Sequence, residues 1–156
     1  MKILAFSDLH MARARASDIV KASAGADLVI GAGDFCNMRQ GLDQAVAMLE
    51  GISAPIVTVP GNAESAEELC EALPRGWGML HGTSCDVLGL RIFGLGYAVP
   101  QTPFGEWSCD LSEAEAATML ADCDAADILV FHSPPKGVAD ETSQGVSVGS
   151  TAIYEA

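Results

Sequence analysis

The chain has 156 residues, of which 49% are hydrophobic and 19% are charged, and its formal net charge is −13. This length suits one domain with a buried core, and this composition argues against disorder. The acidic balance argues against duplex nucleic acid as a partner, because such affinity comes mostly from neutralising phosphates. We therefore expect one folded domain over residues 1–156.

The apolar runs also limit where the protein resides. All of them are short, so no segment is long enough to span a bilayer. Met1 leads directly into a strand-like run, without the charged and long apolar regions of a signal peptide. The five cysteines form no C-x-x-C pair, which is typical of reduced thiols in a cytosolic protein. These features predict a cytoplasmic protein that does not contact membranes.

The first half of the chain alternates between short apolar runs and helical patterns. The predicted elements are, in chain order, a strand at 2–6, a helix at 11–24, a strand at 27–32, a helix at 40–49, a strand at 55–59 and a helix at 65–73. Continuously apolar strands are typical of a parallel sheet that is covered on both faces. The pattern therefore predicts an α/β fold.

The second half has shorter strands and longer loops. The predicted elements are strands at 77–81, 85–87 and 90–94, a loop at 99–108, a helix at 112–120, a strand at 127–131, a loop at 136–148 over the crevice, and a helix at 151–156. The glycine-broken strands indicate a sheet edge or a second sheet. Ser112 and Glu115 have the spacing of a capping box and open the helix at 112.

Four of these strands end at side chains that commonly bind metals. These residues are Asp8 and His10 after the first strand, Asp34 after the second, Asn62 after the third and His132 after the strand at 127–131. The ligand crevices of open α/β sheets lie outside the carboxyl ends of the strands. Each motif alone is also common in ordinary turns and loops. The four together, each at the end of a strand, indicate a metal site at one edge of the sheet.

The order and approximate spacing of D-x-H, G-D, G-N and H resemble the calcineurin-like metallophosphoesterases. Further matches are Ser7 before the first aspartate, Pro60 before Gly61-Asn62, and Ser-Pro-Pro-Lys-Gly at 133–137. The resemblance covers essentially the whole chain. It implies a metallophosphoesterase-like α/β sandwich.

The resemblance also implies a site with two divalent metal ions. Asp34 would bridge them, Asp8 and His10 would complete one site, and Asn62 and His132 would complete the other. The mixed nitrogen and oxygen donors suit Mn, Fe or Zn. Asp34, Asn62 and His132 are the predicted catalytic residues. The implied reaction is hydrolysis of small phosphodiesters or phosphomonoesters by a metal-activated water.

Ala63 is the first departure from the family pattern. The family usually has histidine at this point in G-N-H-E or G-N-H-D, and that histidine is thought to protonate the leaving oxygen. General acid help of this kind contributes ~10²–10⁴-fold, and alanine cannot give it. Family branches with a small residue here tend to favour phosphodiesters. We therefore expect phosphodiesters with good leaving groups to be preferred.

The second departure is the absence of the closing G-H-x-H motif, which in the family gives one histidine to each metal. The last helix, at 151–156, has less than two turns. We therefore expect a C-terminally truncated domain that is weakly active or inactive, with an uncovered strand edge through which a homo-oligomer could form. The alternative is a degenerate, non-catalytic metal-binding or interaction module.

Four other side chains allow two interpretations each. Cys36 lies close enough in sequence to Asp34 to approach the metals, although a small buried thiol is the better interpretation. His81 follows a strand outside any motif, and we interpret it as structural or surface-exposed. Phe104 and Trp107 could stack on a base or aryl group of the substrate, but aromatic residues in a loop more often pack locally.

Overall fold

Two β-sheets face each other at the centre of the molecule. The computed structural model describes all 156 residues. The first sheet is parallel, in the order β1 (Ile3–Phe6), β2 (Leu28–Gly31), β3 (Ile56–Thr58), β4 (Gly78–Met79). The second sheet has the order β5 (Thr83–Val87), β6 (Leu90–Leu95), β7 (Ile128–Phe131). In it, β5 is antiparallel to β6 and β7 is parallel to β6.

Helices cover the outer faces of both sheets. The first sheet carries α1 (Arg13–Ser23), α2 (Leu42–Ala47) and α3 (Ala66–Ala72). The second sheet carries α4 (Glu113–Met119) and α5 (Thr151–Glu155), with a short 3₁₀ turn at Cys123–Ala125. None of these helices combines the length and the apolar character that a membrane crossing requires.

Side-chain alternation along the strands builds the core. Val29 and Ile56 point outward and pack in the cluster with α1, α2 and α3. Ile30 and Val57 point inward, where they meet Ile92 of the second sheet in a separate cluster. Successive residues of a strand face opposite sides, so strands covered on both sides have no polar face. This is why β2 and β3 are buried throughout.

The glutamate that opens α4 also holds the start of α5. The Glu113 carboxylate accepts hydrogen bonds from Ser150 Oγ at 2.7 Å, Thr151 N at 3.0 Å and Ala152 N at 2.8 Å. Ile153, which follows, is 4% exposed and packs in the cluster beneath the second sheet. The short last helix is therefore stabilised by contacts with α4 rather than by its own length.

The predicted α/β class is confirmed, and every predicted strand and helix is present with slightly different ends. The glycine-broken strands were predicted to form a sheet edge or a second sheet, and both occur: β4 is an edge strand of the first sheet, while β5 and β6 belong to a second sheet. One expectation was wrong: the four strands that precede the candidate ligands do not share one sheet. His132 follows β7, which pairs with β6 because the β5–β6 hairpin starts a separate sheet. The carboxyl ends of β1, β2, β3 and β7 nevertheless meet at the same end of the sandwich, as the contacts of His132 show.

Candidate metal centre

Asp8, His10 and Asp34 form the more exposed half of a polar cluster at the strand ends. His10 Nε2 lies 3.4 Å from Asp34 Oδ2 and 3.7 Å from Asp8 Oδ1. The potential ligand atoms of all three residues lie within 4.8 Å of one another. The side chains of Asp8 and His10 are 60% and 44% exposed, so this half of the cluster is open to solvent.

Asn62 and His132 form the buried half of the cluster. His132 Nε2 lies 3.3 Å from Asn62 Oδ1 and 3.6 Å from Asp34 Oδ1. The side chains of His132 and Asp34 are only 10% and 8% exposed. The two carboxylate oxygens of Asp34 therefore face two different imidazoles, one in each half of the cluster. All five residues predicted from the sequence lie together, with Asp34 at the centre.

Local backbone geometry aims these side chains. Asp8, His10 and Asp34 all have positive φ angles, of 53°, 44° and 58°. Asp and His are among the residues that enter this region most readily. Asp8 N donates to Gly33 O and His10 N donates to Asp34 O, both at 3.0 Å, so the loop after β1 is fastened to the loop after β2. Unusual backbone angles held in this way often mark functional sites.

Two glycines allow the loops after β2 and β3 to touch. A Cβ atom on Gly33 would lie 2.6 Å from Gly61 Cα and 2.7 Å from His132 Nδ1. A Cβ atom on Gly61 would overlap the carboxylate and the backbone nitrogen of Asp34. The glycine of each G-D and G-N motif is therefore required by close approach between the loops.

Backbone carbonyls fix the protonation of both imidazoles. His132 Nδ1 lies 2.8 Å from Ala32 O, and His10 Nδ1 lies 3.1 Å from Cys36 O. A carbonyl oxygen only accepts, so each Nδ1 carries a proton and each ring directs its Nε2 atom into the cluster. Metal-binding histidines usually have this second hydrogen bond on the ring nitrogen that does not bind the metal.

The donor set fits a divalent cation. His132 Nε2 faces Asn62 Oδ1 and Asp34 Oδ1, and when the ring carries its proton on Nδ1 alone, all three atoms are hydrogen-bond acceptors. Acceptors packed at these distances repel one another unless a positive charge lies between them. A cation that prefers nitrogen and oxygen ligands would remove this repulsion. Asp8, His10, Asp34, Asn62 and His132 are thus the residues that could hold metal.

Glu64 organises the cluster from beneath, a role that the sequence reasoning missed. Its fully buried carboxylate accepts from the backbone N–H groups of Asp34 and Gly61 at 2.8 Å, Phe35 at 3.1 Å and Cys36 at 3.4 Å. Burial raises the pKa of Glu64, while these hydrogen bonds act in the opposite direction. The sequence did contain a signal for this role, because Glu64 is the last residue of the segment that resembles the family's G-N-H-E motif.

Cys36 and His81 have the structural roles that the sequence favoured. Cys36 is fully buried and its thiol points to Ala63 O, at 3.1 Å. Burial, with the nearby Glu64 carboxylate, raises the pKa of Cys36 to about 12. His81 accepts a hydrogen bond from Gly96 N at 3.2 Å, and burial lowers its pKa. Neither side chain belongs to the group of potential metal ligands formed by Asp8, His10 and Asp34.

A cavity of about 470 Å³ opens beside the cluster. Asp8, Asn62 and His132 are among its lining residues. The loops at 98–104 and 142–148 form its walls, as expected for the loop that was predicted to lie over the crevice. Phe104, 55% exposed, lies in one wall and stacks on Trp107 at 5.7 Å between ring centroids and 5° between ring planes. No lysine or arginine lines the cavity.

Comparisons with known proteins agree with this geometry. The family model of the calcineurin-like phosphoesterase superfamily domain matches residues 1–150. One solved structure, 14% identical, superimposes with a TM-score of 0.78 over 99% of this chain and 78% of its own. The crystal structure of TT1561 of Thermus thermophilus, 18% identical, superimposes with a TM-score of 0.74 over 98% of this chain and 74% of its own. No curated protein matches the chain.

Identities this low establish the fold alone, and together with the family model the structural comparisons confirm the predicted metallophosphoesterase-like α/β sandwich. The family follows from the model that covers nearly all of the chain. The chain belongs to the calcineurin-like phosphoesterase superfamily.

Proposed function

We propose that this chain is a metal-dependent phosphoesterase that binds two divalent cations, of Mn, Fe or Zn. Asp8, His10 and Asp34 would hold one cation, and Asp34, Asn62 and His132 the other. The observation that carries the proposal is the orientation of Asp34, whose two carboxylate oxygens face the Nε2 atoms of two different histidines. A short carboxylate in this position can serve both cations.

The chain's own residues would orient the ligands and leave room for a substrate. The carbonyls of Ala32 and Cys36 hold the two imidazoles with Nε2 inward. Ala63 N donates to Asp34 Oδ1 at 2.9 Å and keeps the central carboxylate in place. When bound, divalent cations at such a site stabilise charge on phosphoryl oxygens and activate a water molecule. The cavity beside the cluster is where the phosphoester would enter.

The charges around the cavity favour a phosphodiester substrate. A phosphomonoester is largely dianionic near neutral pH, whereas a phosphodiester carries one negative charge. Apart from the proposed cations, the cavity offers no lysine or arginine to offset that additional charge, and Asp8 among its lining residues adds a negative charge. We propose small phosphodiesters with uncharged substituents, one of which would lie against the wall that contains Phe104.

The lack of proton-donating side chains in the cavity favours a substrate with a good leaving group. Apart from Asp8 and His132, which are proposed ligands, no acidic side chain or imidazole lines the cavity. Ala63 is 1% exposed and has no proton to give. A leaving group that needs little protonation, such as an aryl oxide, loses least from the missing general acid.

Metal binding is tested by titrating metal-free protein with Mn²⁺ in a calorimeter. We expect Asp34→Asn to bind Mn²⁺ much more weakly than wild type, because the central ligand loses its charge and one of its two oxygens. Glu71→Gln makes the same chemical change on the exposed side of α3 and should bind as wild type does. Equal affinities of Asp34→Asn and wild type would show that Asp34 is not a shared ligand.

Substrate preference is tested by comparing kcat/KM for bis(p-nitrophenyl) phosphate and for an alkyl phosphomonoester, with and without a chelator. We expect metal-dependent turnover of the diester and much slower turnover of the monoester. A higher kcat/KM for the alkyl monoester would contradict the proposed substrate class. Tight Mn²⁺ binding without turnover of either ester would instead support the non-catalytic alternative.

A further inference from the structure

The side-chain amide of Asn62 is held by a neighbour outside the metal cluster. Asn62 is 8% exposed, and its Nδ2 atom donates to Ser108 Oγ at 3.0 Å. Ser108 belongs to the loop between β6 and α4 and carries no metal-ligand function in the site described above. The amide oxygen of Asn62 faces the opposite way, toward His132 Nε2 at 3.3 Å.

Ser108 is itself held by a carboxylate. Its Oγ donates to Asp110 Oδ1 at 2.6 Å. The same carboxylate accepts from Thr102, whose N–H and hydroxyl lie 2.9 Å and 3.0 Å from Asp110 Oδ2. Thr102 lies in the wall of the cavity beside the metal cluster. One carboxylate thus connects the cavity wall to the hydroxyl that contacts Asn62.

The hydrogen-bonding capacity of Asp110 and Ser108 determines which end of the Asn62 amide faces Ser108. Ser108 Oγ also lies 3.0 Å from Thr102 Oγ1, but its shorter contact is the one of 2.6 Å with Asp110 Oδ1. Because a carboxylate oxygen accepts, the single hydroxyl proton of Ser108 points to Asp110. The Ser108 oxygen then presents lone pairs to Asn62, and only the NH₂ end of the amide can bond to it. The oxygen end of Asn62 must therefore face the metal cluster. The orientation of the Asn62 amide thus follows from the hydrogen-bonding capacity of Ser108.

Backbone hydrogen bonds keep this segment against the Asn62 loop. Cys109 N donates to Asn62 O at 2.9 Å, and Ala98 N donates to Cys109 O at 3.0 Å. Leu111 N then donates to Ala98 O at 2.8 Å. Ser108 and Asp110 therefore flank a residue that is bonded on one side to the Asn62 loop and on the other to the chain after β6.

We propose that Ser108 and Asp110 are positioning residues that fix the Asn62 amide with its oxygen toward the metal cluster. The proposal rests on the proposed function insofar as Asn62 is a metal ligand. Without this constraint the amide could rotate and present its NH₂ group, which a cation repels. Hydrogen-bond partners of metal ligands commonly contribute about 10–100-fold to metal affinity.

The test compares Mn²⁺ affinity among variants of Ser108. Ser108→Ala and Ser108→Cys remove the strong acceptor, and the second nearly preserves the side-chain volume in case the first fails to fold. We expect both to lose about 10–100-fold in affinity. Ser108→Thr keeps the hydroxyl and should restore most of the affinity. Ser17→Ala, on the exposed face of α1, is the control and should bind as wild type does.

Asp110→Asn tests the second link. Its side chain has one oxygen for two sets of donors, so its NH₂ group must face either Ser108 or Thr102. We expect weaker Mn²⁺ binding than in wild type. If Asp110→Asn binds as wild type does while Ser108→Ala does not, the role assigned to Asp110 is wrong.

A second readout needs neither metal nor activity. The side-chain NH₂ signal of Asn62 in the ¹⁵N NMR spectrum of metal-free protein reports its hydrogen bond. We expect this signal to shift and its protons to exchange faster with water in Ser108→Ala, but not in Ser17→Ala. Folded Ser108→Ala or Ser108→Cys with wild-type affinity and an unchanged Asn62 signal would overturn the proposal. Failure of wild type to bind Mn²⁺ would instead refute the proposed function, and the NMR comparison would still decide the orientation of Asn62.

Discussion

The buried Glu64 carboxylate joins the loops that follow β2 and β3, and we predict that Glu64→Gln destabilises the protein. Glutamine keeps the shape but replaces one oxygen by an NH₂ donor. One oxygen of Glu64 accepts from Asp34 N and Gly61 N, both at 2.8 Å, and the other accepts from Phe35 N at 3.1 Å and Cys36 N at 3.4 Å. Either orientation of the amide leaves two backbone N–H groups facing a donor.

The size of the effect follows from those two orphaned donors. A buried donor without a partner costs about 1–3 kcal/mol, so the two together cost about 2–6 kcal/mol. Burial raises the pKa of Glu64, which means that the charged form is itself disfavoured inside the protein. The neutral glutamine escapes this penalty, so we expect a loss in the lower part of that range in the free energy of unfolding. Whole domains are stable by only ~5–15 kcal/mol.

Urea denaturation followed by circular dichroism measures this free energy for metal-free Glu64→Gln and wild type. Glu71→Gln, which is exposed on α3, is the matched control and should stay within about 0.5 kcal/mol of wild type. Calorimetry on the folded variant should also show weaker Mn²⁺ binding, because Asp34 and Gly61 lose their shared anchor. A Glu64→Gln protein as stable as the control would refute the reasoning, since the four hydrogen bonds would then contribute nothing measurable.

Three further results are expected. Gly61→Ala should abolish Mn²⁺ binding measured by calorimetry, because its methyl group would overlap Asp34, whereas Gly25→Ala has room and should bind normally. Burial raises the pKa of Glu113, but hydrogen bonds from Ala152, Ser150 and Thr151 outweigh it and lower that pKa below 4.5. This stabilisation is present above pH 4.5 and is lost as the pH falls through the folded-state pKa of Glu113. Glu113→Gln should therefore flatten the acid side of a curve of Tm against pH. An unchanged curve would contradict the role assigned to Glu113. Iodoacetamide at mildly alkaline pH should modify the exposed Cys70 and spare Cys36, whose pKa is raised to about 12; mass spectrometry showing equal rates would contradict the assigned burial.

The ends of β2 and β3 could be predicted because the apolar run of each strand is followed by a glycine and then by a polar residue. Ile30 and Val57 belong to runs apolar on both faces, and Asp34 and Asn62 follow where glycine permits a turn. The assignment of β7 to a second sheet could not be read in this way. An apolar run such as 128–131 looks the same in either sheet, and only its pairing with β6 decides.

The supporting residues of the site were harder to predict than the candidate ligands. Glu64 acts through backbone N–H groups from two loops that are distant in sequence, and no spacing rule reports such a contact. Ser108 ends the loop predicted at 99–108 and Asp110 lies just beyond it, and a position in a loop does not predict a contact with Asn62. By contrast, the capping box of Ser65 and Glu68 on α3 was readable from the sequence and was overlooked. The predicted homo-oligomer and the predicted number of metals stay predictions.

The orientation of both imidazoles by main-chain carbonyls has a consequence for how this site can change. Ala32 and Cys36 contribute carbonyl oxygens, so the orientation of each ring depends on the path of the main chain and on no side-chain hydrogen bond at these two positions. Both carbonyls belong to the short loop that also carries Asp34. A shift in the path of this loop would turn two rings and one carboxylate together. The site is therefore sensitive to changes in backbone shape, and Gly33, where a Cβ atom would lie 2.6 Å from Gly61 Cα, is the position at which a substitution would disturb all three side chains at once.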